Sequence, residues 1–478
     1  MLLRELRRLA RHSAIYGIGG MLSRVLALFL LPLYTAYLGT DGFGKLELVA
    51  ALTAVLVIVL QLGIGSAFFR FYFDSAEPAH RLLVVRTCFW FTMGMATIGL
   101  AAGWIFASQI AAWLDIPGDT WLVRAAFVSL WAQLNYQQMT ALFRVEERSV
   151  SYVFASVANI LITVAATVVL VVVYEYGATG AVVGNFTGTL VVWVALLAYR
   201  RDQLGFQLDR GLLRQMNTFG MPLVPAALAL WAINFIDRFV IQLLKGESEV
   251  GVYSLAVRAA SVIVFLLVAF RLAWPAFAYS IEDDSVAKRT YAYVLTYLLF
   301  ICAWISVALG VLAPWIVKVL APTNPDFHDA ADAIGILAFG ATAFAGYTVL
   351  AIGVGRARRT QFNWIVTGTA AAVNTSLNFA LVPAYGMMGA AVATLVAYVV
   401  LFLGMNYAAQ RVYPVPYQWR RVLTLTVAAG ALTAVGYGLH PPLPVAIAIA
   451  LAFPVVLLPL RFYQPAELAR LRRLAPGR

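Results

Sequence analysis

From about residue 14 onward the chain is a succession of apolar runs, each close to the roughly 20 residues an α-helix needs to cross about 30 Å of hydrocarbon, separated by short polar turns. A backbone in hydrocarbon must satisfy its own N–H and C=O groups, so such runs are helices. Fourteen are predicted, over residues 14–38, 46–69, 82–107, 120–143, 150–173, 178–198, 220–243, 251–273, 291–313, 331–353, 361–383, 387–409, 422–439 and 445–460. Composition agrees: 62% of residues are hydrophobic and 12% charged, where a soluble chain carries about a quarter charged residues. The expectation is an all-α, multi-pass integral membrane protein.

The formal charge of +12 does not point to nucleic acid, because the basic residues stand singly or in pairs between apolar runs instead of forming a stripe. Their distribution predicts topology. With the N-terminus inside, roughly 25 basic residues fall in cytoplasmic segments against about three outside (Lys45, Lys245 and Lys318), which places both termini in the cytoplasm. No cleavable signal peptide is expected. Residues 1–13 read as an interfacial helix, with Leu2, Leu3, Leu6 and Leu9 opposite Arg4, Arg7, Arg8 and Arg11. Residues 464–478 read as a second amphipathic segment on the same leaflet. The two cysteines, Cys88 and Cys302, lie in apolar runs and the four histidines are dispersed, so neither a disulfide framework nor a metal site is expected, and no cofactor.

An internal repeat organises the chain. Gly39-Thr-Asp-Gly-Phe-Gly44-Lys-Leu recurs as Gly246-Glu-Ser-Glu-Val-Gly251-Val-Tyr, and Tyr176-Gly-Ala-Thr-Gly180-Ala recurs as Tyr385-Gly-Met-Met-Gly389-Ala. The offsets, 207 from Gly39 to Gly246 and 209 from Tyr176 to Tyr385, make six spans repeat as six in parallel orientation. Two such bundles, with a binding site between them, is a transporter plan. The expected domains are a six-helix bundle at 14–198, a cytoplasmic linker at 199–219 long enough to permit rocking, a second six-helix bundle at 220–410, and two further helices within 411–463.

Charged side chains at membrane depth are the candidate site, since each costs about 2.5–3.5 kcal/mol there and so faces protein or a wet cavity. Residues 220–258 concentrate them: Asn234, Asp237, Arg238 and Arg258 lie on two helices joined by a short turn, with Asp237 and Arg258 both roughly 10 Å below the outer surface. Asp237 is expected to pair with Arg258 while Arg238 and Asn234 turn to a cavity, a static clamp between the helices being the alternative. Arg24, about 15 Å along the first span, cannot reach the interface and suits bidentate contact with phosphate. Asp237 is also the residue through which proton or sodium coupling would run. Polar residues of the fourth and eleventh spans, among them Gln137, Gln138, Asn374 and Asn378, are expected to hydrogen-bond between helices.

Leu62-Gly-Ile-Gly-Ser-Ala-Phe-Phe-Arg70, Ser23-Arg24, Leu142-Phe-Arg144-Val-Glu-Glu-Arg148, Asp237-Arg238-Phe239 and the two Tyr-Gly-x-x-Gly-Ala turns together resemble the polysaccharide transport family of oligosaccharide flippases, in the multidrug/oligosaccharidyl-lipid/polysaccharide superfamily. The resemblance implies two six-helix bundles working by alternating access in the cytoplasmic (inner) membrane. The implied cargo is an anionic undecaprenyl-diphosphate-linked oligosaccharide, with membrane lipids and polysaccharide assembly proteins as partners. It also implies a basic cavity, which Arg24, Arg70, Arg238 and Arg258 would line with Asn234. Lipid II flippases and MATE-type ion-coupled exporters share the fold and stand as alternatives. A membrane glycosyltransferase or polymerase is the rival from another class, but its chemistry needs a large outer loop, and the predicted outer loops are short. Asp41 with Glu47, and Asp326 with Asp329 and Asp332, are read as solvated loop acids, not acid/base pairs.

Overall fold

The computed structural model describes residues 30–75, 77–357, 359, 361–439, 441–465 and 467. Arg24, the N-terminal interfacial segment and most of the predicted tail lie outside them. The chain runs through α1 (Leu31–Tyr37), α2 (Gly39–Gln61), α3 (Ile64–Tyr72), α4 (Pro78–Ile105), α5 (Ala107–Trp113), α6 (Thr120–Val145), α7 (Ser149–Val168) with a π-turn at Val169–Val173, and α8 (Gly177–Tyr199). It continues through α9 (Arg210–Gly220), α10 (Val224–Lys245), α11 (Glu247–Ala260), α12 (Val262–Ser280), α13 (Asp284–Val311), α14 (Ala313–Leu320), α15 (Ala330–Arg356), α16 (Gln361–Val412), α17 (Trp419–Leu439) and α18 (Leu443–Val456). No strand occurs among the described residues. Nine helices there are long and apolar enough to cross a membrane, and α11 with α12, bent by 44°, makes a tenth when taken as one span. The protein is an all-helical, multi-pass membrane protein.

Two compact units emerge. Among the described residues, one comprises those up to Leu255 with Ala321–Phe327 and Ala371–Ala390; the other comprises those of Ala256–Leu320, His328–Ala370 and from Ala391 onward. In the first, α4, α6, α7 and α8 pack as a bundle, α2 joins it to α10, and α9 lies on α3. Its core is built from Leu48, Leu52, Leu122, Phe127 and Leu130, all buried. In the second, α13 is central and packs against α15, α17 and α18. Trp304 of α13 donates from its indole N–H to the Ala450 carbonyl of α18 at 2.8 Å.

Three local results refine the sequence reading. The second predicted span is not continuous: Leu62 and Gly63 have φ of 47° and 76°, which ends α2 and re-aims the chain into α3. Only glycine fits at 63, because a Cβ there would stand 2.2 Å from the Gly220 carbonyl oxygen. The repeated Tyr-Gly-x-x-Gly turns match in conformation: Gly177 and Gly386 have φ of 54° and 52°, and Gly386 breaks the long α16.

The linker, expected from its length to permit rocking of the bundles, packs on its own unit. Trp90 donates its indole N–H to the Gly205 carbonyl at 2.8 Å and stacks on Phe206 at 4.8 Å, and Arg86 donates to the Gln203 carbonyl at 3.3 Å. Arg200 pairs with Glu146, and α9 then buries Leu212 and Met216 against α3 and α4. An amphipathic helix with Asp209 capping its first turn through the Leu212 N–H is the reason this stretch does not stay a loop.

Candidate functional site

In the 220–258 stretch, Asn234, Asp237 and Arg238 lie on α10 and Arg258 on α11. Asp237 and Arg238 are consecutive, so the Arg238 backbone N–H and its Nη1 both reach Asp237 Oδ1, at 2.9 and 3.0 Å. The second carboxylate oxygen accepts the Tyr253 hydroxyl from α11. One turn back, the Asn234 carbonyl accepts from Arg238 Nη1 at 2.8 Å, while the Asn234 amide bonds the Leu230 carbonyl. Glu47 of α2 completes the group, its Oε2 3.5 Å from Arg238 Nε. The guanidinium lies over the Phe235 and Tyr253 rings, at 5.1 and 6.0 Å.

These positions correct two expectations. Arg238 does not turn to a cavity: it is 3% exposed, Asp237 2% and Glu47 5%. Glu47 is not a solvated loop acid but a partner of Arg238 on a neighbouring helix. The arrangement ties α2 to the α10–α11 hairpin, and breaking a buried ionic tie by removing one member costs about 3–5 kcal/mol. Of the other candidates, Arg70 is exposed at the end of α3 and pairs with Asp74 at 3.4 Å, a surface contact worth little. Arg258 is half-buried on the last turn of α11, its carbonyl accepting from Ser261 Oγ at 2.6 Å. The structure thus brings together Asn234, Asp237 and Arg238, and leaves Arg70 elsewhere. The buried amides also differ from expectation. Asn135 and Asn378 bond carbonyls one turn back in their own helices, whereas Gln61 and Gln137 do bridge α2 and α6, at 3.1 Å.

Close to this cluster the two copies of the first repeat cross. A Cβ at Gly44 would lie 1.9 Å from the Glu247 carbonyl oxygen, and a Cβ at Gly251 would lie 2.1 Å from the Thr40 carbonyl oxygen. The reciprocity follows from the repeat: corresponding helix starts meet backbone to backbone, which only small residues permit. Ser248 donates to the Thr40 hydroxyl at 2.8 Å. Lys45 Nζ bridges Asp119 and Glu247, at 2.9 and 3.4 Å. Glu249 accepts the Met387 N–H at 2.6 Å beside the Gly386 break, and Phe43 meets Phe327 edge-on at 6.0 Å. Five chain segments therefore converge on one junction. Sequence reasoning found the repeat but missed Tyr253, Lys45 and Ser248; the signal was present, since all three fall within or beside the repeated glycine motif.

The profile of a family described as "Polysaccharide biosynthesis protein" matches residues 37–324. The chain belongs to this polysaccharide biosynthesis family. Relatives of this family member in Haemophilus influenzae include an uncharacterized membrane protein, 25% identical over 59% of this chain and 68% of the relative. Another is the Lsg locus putative protein 1, 24% identical over 53% of this chain and 61% of the relative, so the match spans about three fifths of that protein. Among solved structures, the lipid II flippase MurJ in an inward closed conformation matches with a TM-score of 0.73 over 93% of this chain and 98% of MurJ, at 13% identity. An inward-facing multidrug resistance MATE family transporter of the MOP superfamily matches with a TM-score of 0.66 over 82% of this chain and 98% of that one, at 14% identity. The polysaccharide biosynthesis protein described here therefore has a MurJ/MATE-like fold.

Proposed function

We propose that the protein is a flippase that moves an undecaprenyl-diphosphate-linked oligosaccharide from the cytoplasmic to the outer leaflet of the inner membrane by alternating access. The observation that carries this reading is the coincidence of a polysaccharide biosynthesis family with a fold shared, over 93% of the chain, with a lipid flippase. In this reading the chain has fourteen spans with both termini cytoplasmic, as the arginine bias requires. The junction of Gly44 with Gly251 then lies at the outer surface and must part when the carrier opens outward. Arg24 and Arg258 supply cationic contacts for the diphosphate, while Asp237, Arg238 and Glu47 hold the helices that carry the motion.

Deleting the gene in its host tests this. The expected result is loss of surface polysaccharide with lipid-linked repeat units accumulating on the cytoplasmic face, both reversed by the wild-type gene. Unchanged surface polysaccharide, or absence of the lipid-linked repeat unit itself, would contradict it.

A further inference from the structure

The second unit holds a cavity of about 300 Å³ where the end of α13, the start of α14, the first turn of α15 and the end of α17 meet. Trp315, His328, Asp332 and Tyr437 line it over a floor that includes Gly310 and Gly436. The helices approach closely at this floor. A Cβ at Gly310 would stand 2.7 Å from the Thr433 methyl, and one at Gly436 would stand 2.6 Å from Val311. Tyr437 is 53% exposed and shares the lining with Asp332, so the cavity presents an aromatic ring and a carboxylate together. An interfacial aromatic belt requires the rings but not the cavity.

The lining chemistry selects the ligand. Among the described residues no lysine or arginine lines the cavity, so a phosphate would find no counter-ion there. Among the described residues no three His, Cys, Asp or Glu side chains group to hold a metal ion. What remains is an aromatic face for apolar C–H groups, a carboxylate that accepts from hydroxyls, and an imidazole that accepts or donates. The volume is at the lower end of ligand pockets, about 300–1,000 Å³. We infer that this cavity is a saccharide subsite that takes one sugar residue of the glycan. The inference rests on the proposed flippase function, which supplies the glycan; in the proposed topology the cavity opens at the outer side, where the glycan emerges.

The test uses the full chain purified in detergent, with galactose, N-acetylglucosamine and choline as probes. The readout is protection of His328 from diethyl pyrocarbonate, measured by mass spectrometry. One or both sugars protect His328 in the wild type, and the sugar concentration for half-protection rises at least about fivefold in Trp315→Ala and Asp332→Asn, each having lost one contact. Asp332→Asn is isosteric and carries the test if Trp315→Ala fails to fold. Protection by choline alone, or equal protection in the folded variants, overturns the inference. Sugar-independent His328 reactivity in a protein that flips lipid-linked glycan sinks the subsite and leaves the flippase reading intact. Sugar protection in a protein that does not flip removes the flippase reading instead.

Discussion

Replacing Gly44 by alanine probes the helix crossing directly. The added Cβ would sit 1.9 Å from the Glu247 carbonyl oxygen, against an ordinary contact of about 3.5 Å, so α2 and α11 must separate by about 1.5 Å. A shift of that size stretches the 2.8 Å bond between Ser248 and Thr40 and the 3.4 Å pair between Lys45 and Glu247 beyond useful range. Overpacking of this kind costs about 1–3 kcal/mol, which lowers the closed-to-open ratio of the crossing by about 5-fold to about 140-fold. The assay is disulfide formation in Thr40→Cys/Ser248→Cys, whose hydroxyls already touch; the native Cys88 and Cys302 are buried and do not compete. Under mild oxidant the pair cross-links rapidly, and adding Gly44→Ala slows it at least about fivefold by the same ratio. Gly251→Ala, at 2.1 Å from Thr40, has a comparable effect. Equal cross-linking rates with and without Gly44→Ala would refute the argument that glycine at this contact is what lets the backbones meet.

Asp237→Asn and Arg238→Gln each leave a buried partner uncompensated and lower thermal stability by about 3–5 kcal/mol, whereas the double variant loses less than the sum; strict additivity would show that the pair is not coupled. Trp90→Leu removes both the bond to Gly205 and the stack on Phe206, so trypsin cuts at Arg200 and Arg201 several-fold faster than in the wild type; unchanged cleavage would mean the linker is held by other contacts. Burial pushes the Glu467 carboxyl up, but hydrogen bonds from Tyr297 and the Gln464 N–H, with the Arg421 charge, outweigh it and hold the group below its ordinary 4.5. A depressed carboxyl contributes stability above its unfolded value and loses it as pH falls through the folded value. Hydrogen-exchange protection of residues 462–467 therefore persists at pH 5 and disappears only below 4.5; loss already at pH 6 would contradict the pairing.

Apolar run length was enough to reveal an all-helical membrane protein, because a spanning helix is specified by one property repeated about twenty times. Breaks inside runs were less legible. Leu62–Gly63 looks like any apolar dipeptide, and the close approach of Gly220 that leaves no room for a Cβ at 63 is a contact no local window contains. The repeat was visible as spacing, but spacing does not say that two copies touch; that needed the reciprocal approach of Gly44 and Gly251. Burial of Glu47 was hidden for the opposite reason. It stands near a polar turn with Asp41 and Lys45, and only the helical register of α2 separates exposed Asp41 from Glu47, which faces Arg238. Sequence adjacency does not show that Arg238 bonds Asp237, because that contact requires the long arginine side chain to fold back to its neighbour's carboxylate.

The most direct test of the account uses sealed proteoliposomes holding the purified protein and a fluorescent undecaprenyl-diphosphate oligosaccharide confined to one leaflet. The account predicts that the label becomes accessible to a membrane-impermeant quencher on the other side, without covalent change. It further predicts that oxidised Thr40→Cys/Ser248→Cys abolishes this and that reduction restores it. Label that stays in its leaflet, or crosses equally fast with the cysteine bridge intact, would contradict it.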